Sequence, residues 1–188
     1  MTRRIKNLKA FISQGNRLSK WGFSWGGLLD NRHGEWLLLM QIILLIAHIM
    51  PPYPPEINLN IHLTIFFKII GIITFTIGIV LSINALIEIK PSLSPLPEPI
   101  KNAQLILTGP YKHCRHPLYQ GLLIISIGTI FYKLSLLHIL LLIFLSITLK
   151  SKAIREETSL SKLHSNYQNY ITNTPAIIPI LKYLDWRD

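Results

Sequence analysis

The chain has 188 residues, of which 49% are apolar and only 15% charged, with a formal net charge of +10. A soluble domain carries about a quarter charged residues, so the balance argues for a bilayer rather than a water-facing globule. The single cysteine, Cys114, excludes an internal disulfide framework and a cysteine-rich zinc site. The basic residues flank apolar runs, which points to lipid headgroups and membrane orientation rather than to nucleic acid.

In chain order, residues 1–35 form a basic, mildly amphipathic start, MTRRIKNLKAFISQGNRLSKWGFSWGG and the residues after it. It lacks the continuous apolar stretch of a signal peptide and reads as either a membrane-surface helix or a tail. The first apolar segment is WLLLMQIILLIAHIM, residues 36–50, stopped by PPYPP; the second runs to residue 89 from about residue 66. LYQGLLIISIGTIFY (118–132) and LSLLHILLLIFLSITL (134–149) follow, with only Lys133 between them, and predict a helical hairpin. Continuous rather than alternating apolar runs argue against strands. The expected fold is an all-α integral membrane protein with about four transmembrane helices, an N-terminal surface helix and a cytosolic C-terminal helix. Only the second segment meets the usual span of about 20 residues; the other three must borrow flanking residues, thin the bilayer locally or snorkel their basic ends. The expected organisation is 1–35 as surface segment, 36–89 as the first two spans, and 90–188 as a catalytic core.

With the N-terminus inside, seventeen Lys and Arg residues fall on the cytoplasmic side and two, Lys68 and Lys133, on the other. An even number of spans then brings GPYKHCRHP (109–117) and SKAIREETSL (151–160) to one membrane face. Gly109-Pro110 marks a turn, and Pro117 suits the first position of a helix, whose free N–H groups favour an anion. Arg115 and His116 stand beside that helix start, the makings of an anion clamp. Lys112 reads as a snorkelling interfacial lysine, and His113 and Cys114 as loop residues. Glu156 and Glu157 point about 100° apart on a helix and are expected to do different jobs. They are open to binding an ammonium or sugar hydroxyls, pairing with Arg115, or pairing with Lys152 or Arg155 nearby. Tyr111, Tyr119, Tyr167 and Tyr170 offer stacking surfaces and hydroxyls, or sit as interfacial aromatics. A ligand carrying both a carboxylate and an ammonium suits the set, and S-adenosylmethionine is such a ligand.

These residues resemble the isoprenylcysteine carboxyl methyltransferase family and the related membrane phospholipid methyltransferases over about residues 92–179. Leu107, Gly109, Tyr111, Arg115, His116, Pro117, Tyr119 and Gly121 match its first motif, G-x-Y followed by R-H-P-x-Y-x-G. Glu156, Glu157, Leu160, Tyr167 and Tyr170 match the second, E-E-x-x-L followed by Y-x-x-Y. The resemblance implies a methyltransferase that binds S-adenosylmethionine through Leu107, Tyr111, Arg115, His116, Tyr119, Glu156 and Glu157, with Arg115 and Glu156 taking part in the transfer. It implies a lipid, prenylated peptide or other lipophilic acceptor met at the membrane's cytoplasmic face. The chain departs from the pattern at Lys152, where arginine is usual, at Leu163 and His164, and in Tyr167 falling one residue early. A competing expectation is a haem- or metal-binding membrane protein using His48, His62 and His138, which fall at similar depth.

Overall fold

A computed structural model describes residues 30–54, 59–98 and 104–187. The expected N-terminal surface helix lies outside them. The described residues form five α-helices and no strand: α1 (Glu35–Ala47), α2 (Ile61–Ile89), α3 (Pro117–Lys133), α4 (Leu136–Leu163) and the short α5 (Tyr167–Asn173). Asn60 caps α2 by accepting from the His62 N–H at 3.0 Å, which starts the helix five residues before the predicted apolar run. Pro117 opens α3 as expected.

Among the described residues two helices, α2 and α4, are long and apolar enough to cross a membrane. Helices α1 and α3, with 13 and 17 residues, reach about 20 and 25 Å at 1.5 Å per residue, short of a 30 Å hydrocarbon core. Helix α4 does not stop where its apolar run ends. It continues unbroken through the charged residues 150–163, so Glu156 and Glu157 ride on the last turns of the hairpin's own second helix. The isoleucines and leucines on the outer faces of α2 and α4 are exposed, as a lipid-facing belt requires.

The hairpin is present, but α3 packs most intimately on α2. A Cβ placed on Gly71 would lie 2.8 Å from Gly128 O, and one on Gly78 would lie 2.8 Å from Gly121 O. The pairs 71/128 and 78/121 are consistent with one antiparallel register, with seven residues between successive contacts on each helix. Small residues let the two backbones touch, which is how helices associate where lipid supplies no hydrophobic drive. The apolar core lies on the other side of α3. Leu44, Tyr119, Leu123, Leu141, Leu145, Leu149, Ala176 and Ile177 bring together α1, α3, α4 and the segment after α5.

At the far end, Lys133 Nζ donates to His48 O at 2.7 Å and to Met50 O, closing the end of α1 with a positive charge. His48 and His138 meet there with ring centroids 5.9 Å apart. His62 lies exposed at the start of α2. No three His, Cys, Asp or Glu side chains among the described residues are arranged to hold a metal ion, so the three histidines expected to bind haem or metal form no such group.

Candidate active site at the Pro117 end of the bundle

Two backbone hydrogen bonds hold the loop before α3 to the C-terminal segment: Arg115 N–H donates to Pro175 O and His116 N–H to Ala176 O, both at 2.9 Å. That contact delivers the Arg115 guanidinium into the protein, where its side chain is fully buried. Nε donates to Glu157 Oε1 at 2.7 Å and Nη2 to Glu157 Oε2 at 3.3 Å. Nη1 donates to Ile171 O at 2.8 Å and to Thr174 O, and Nη2 also reaches Trp186 O at 3.4 Å. A guanidinium has five N–H donors, and here protein oxygens take every one. Arg115 therefore fastens the tail to α4, and in this arrangement it has no donor left for a ligand.

Glu157 is the other half of the lock. It accepts from Arg115, from His116 Nε2 at 2.8 Å and from the Trp186 indole N–H at 2.8 Å. Burial alone would raise its carboxyl pKa, but the hydrogen bonds and charges of His116 and Arg115 outweigh it and hold the group down at about 2. Glu156, one residue earlier, turns to a different side and accepts from the Tyr119 hydroxyl at 3.0 Å. The roughly 100° step between neighbours on α4 separates the two jobs, as expected.

His116 stacks on Tyr119, with centroids 5.3 Å apart and planes 7° from parallel. Its Nδ1 stands 3.8 Å from Glu156. His116, Tyr119 and Glu156 thus form one wall. On one side of it opens a cleft lined by Tyr111, Arg115, His116, Glu156, Leu160, Tyr167 and Tyr170, closed by Ser92, Ser94 and Gln104 from the loop after α2. The structure brings Tyr111, Arg115, His116 and Glu156 to this cleft and sets Tyr119 and Glu157 behind it. Leu107 is exposed and lies outside the lining. Tyr170 donates to Tyr111 O, and Tyr167 is buried, so the two tyrosines whose register departs from the pattern still reach the cleft.

Three participants were not singled out in the sequence. Trp186 seals the Glu157 lock from the end of the chain. Ser92 donates to Gln104 O at 3.0 Å and ties together two of the residues that close the cleft. Gln41 on α1 accepts from Lys152 Nζ at 2.8 Å. A tryptophan between charged residues at 185 and 187 was a visible signal for the first; no local pattern marks the other two. Cys114, in the same loop, is buried against Ala176 O and Ile177 O, and burial pushes its thiol up to about 12.

A model of the phospholipid methyltransferase family matches residues 66–167, more than half of the chain, from the first third of α2 to the start of α5. The chain is 34% identical over 83 residues to the nickel-cobalt-cadmium resistance protein NccN of Alcaligenes xylosoxydans xylosoxydans. That alignment covers 43% of this chain and 38% of the relative, so the chain matches well under half of the relative's length. No solved structure matches. The matched region holds the first motif and the second as far as Tyr167, and the chain belongs to the phospholipid methyltransferase family, a family of membrane methyltransferases within the isoprenylcysteine carboxyl methyltransferase-like superfamily.

Proposed function

We propose that the protein is an integral membrane methyltransferase that uses S-adenosylmethionine, bound from the cytoplasm, to methylate a lipophilic acceptor presented from the bilayer. The observation that carries this reading is a tyrosine-lined cleft at the charged end of a lipid-facing helix bundle, with the Glu156 carboxylate on its wall. The residues present fit the cofactor. Glu156 accepts one hydrogen bond, from Tyr119, and keeps lone pairs for an ammonium or for ribose hydroxyls. Tyr111, Tyr167 and Tyr170 supply surface for a flat base. The bound cofactor would supply an electrophilic methyl on a sulfonium.

The protein's own part is positioning and exclusion of water. Arg115 and Glu157 act on the cleft by pinning the tail and His116 in place, and His116 orients Tyr119 and so Glu156. A carboxylate acceptor, of the isoprenylcysteine kind, needs no base. A lipid amine would need to lose a proton, and Glu156 is the group beside the cleft able to take it. Seventeen basic residues on one side of the expected topology favour the cytoplasm for the cleft.

Titration calorimetry of detergent-purified protein with S-adenosylhomocysteine tests this. The parent should bind; Glu156→Gln should bind roughly ten- to a hundredfold more weakly, the value of one charge-assisted contact. Arg115→Ala should lose binding, because the tail and His116 are released. Folded parent protein that does not bind would refute the proposal.

A further inference from the structure

A cavity of about 590 Å³ lies between α1, α2 and α3, a size typical of ligand sites. Helix α1 packs on α4 and α2 packs on α3, and α3 floors the space left between α1 and α2. Ile72 and Phe75 on its wall are exposed, so it opens toward lipid. The hydroxyls inside are already spent: Ser126 on the His48 ring at 2.6 Å, Thr76 on Ile72 O at 2.8 Å and Thr129 on Ile125 O at 2.9 Å. With its polar groups paired and the rest of its lining apolar, the interior suits hydrocarbon.

One end of the cavity is charged. Lys133, the last residue of α3, lines it. The antiparallel register that sets Gly71 against Gly128 and Gly78 against Gly121 brings Lys68 level with that last turn of α3. Lys68 also shares a face of α2 with Gly71, Ile72 and Phe75, three residues of the wall. These two lysines are the ones that the orientation count leaves on the side opposite the cleft. Neither pairs with a carboxylate among the described residues. Lys133 spends its donors on His48 O, Met50 O and His138 Nε2, all neutral acceptors, so a net positive charge remains. Lys68 is exposed, as is Tyr132 on the cavity's rim, whose hydroxyl is able to donate to a phosphate oxygen.

We infer that this is a binding site for an anionic phospholipid of the leaflet opposite the cleft. An acyl chain fills the cavity, and the headgroup phosphate lies at the mouth between Lys68 and Lys133. Two ammonium groups with no carboxylate beside them favour a headgroup of net negative charge. A zwitterionic headgroup brings its own cation and gains less. The site is separate from methyl transfer and does not depend on that reading. Helix α3 has 17 residues, so about 25 Å separates Lys133 from the Pro117 end. A headgroup held at Lys133 is therefore out of reach of Glu156. Bound there, the lipid ties α1 to α2, which carry opposite walls of the cavity.

The test is lipid binding by delipidated full-length protein in detergent, read by native mass spectrometry with dioleoylphosphatidylglycerol and dioleoylphosphatidylcholine. The two lipids share their chains and phosphate and differ in net charge. The parent should prefer phosphatidylglycerol by about tenfold or more, as expected for charge-assisted contacts from two lysines. Lys68→Gln, an exposed change that leaves the helix contacts alone, should remove most of that preference. Thr76→Trp, which fills the cavity from its lipid-facing wall, should weaken the binding of both lipids. An unchanged helical circular dichroism spectrum shows that each variant is folded. Equal binding of the two lipids by the parent, the mark of annular lipid only, would overturn the inference. So would a preference that survives in both folded variants. Photo-crosslinking from benzoylphenylalanine in place of Thr129 names the occupant. Lipid is expected, and capture of residues 1–29 or of a second copy of the chain instead would also overturn it.

Discussion

Removing one charge from the tail lock should open the C-terminal segment by a calculable amount. Glu157→Gln keeps the shape and one acceptor oxygen but leaves the fully buried Arg115 guanidinium without its counter-ion. Breaking a buried pair from one side costs about 3–5 kcal/mol. The carboxyl itself gives a second measure. A group displaced from its ordinary 4.5 to about 2 corresponds to roughly 3 kcal/mol of interaction favouring the charged form. The two routes agree on about 3 kcal/mol, or about a hundredfold in the equilibrium between docked and undocked tail. Limited trypsin digestion reads that equilibrium directly, because Lys182 is exposed on the segment and cleavage needs a locally open chain. Under conditions where opening is fast relative to cutting, the variant's tail should be cut about a hundred times faster than the parent's. An increase below about threefold would refute the assignment of Arg115 and Glu157 as the lock.

The same carboxyl sets a pH dependence. Its pKa is lowered in the folded state, so its stabilisation is complete above about 4.5 and disappears as pH falls toward 2. Tail cleavage by an acid-active protease such as pepsin should therefore rise across that window in the parent and change less in Glu157→Gln. Gly78→Leu should separate α2 from α3, since even a Cβ there lies 2.7 Å from the Ile125 backbone. A marked loss of thermal stability in detergent is expected, at least the 1–3 kcal/mol of ordinary overpacking, and wild-type melting would count against the glycine contact. Cys114, buried with its thiol near 12, should resist maleimide at pH 7.5 until the protein is unfolded; rapid labelling of native protein would contradict its placement.

Much of this protein follows from local pattern. Continuous apolar runs between basic flanks require helices in lipid, because a bilayer offers backbone groups no other partner. The motif around Arg115 and the pair Glu156–Glu157 were legible as one cluster, and the helical step between neighbours already separated the two glutamates. Tertiary structure decided what each residue has to give. Arg115 reads in the sequence as an open clamp, yet Glu157, Ile171, Thr174 and Trp186 converge on it from more than forty residues away and use all its donors. Lys152 reads in the sequence as a possible partner of Glu156 or Glu157, yet packing against α1 buries it and its hydrogen bond goes to Gln41. The four glycines look like scattered breaks in apolar runs until α2 and α3 are placed antiparallel, when they fall opposite each other. Residue type and spacing determine what a helix is able to bury. Which donors remain free depends on contacts between segments far apart in the chain.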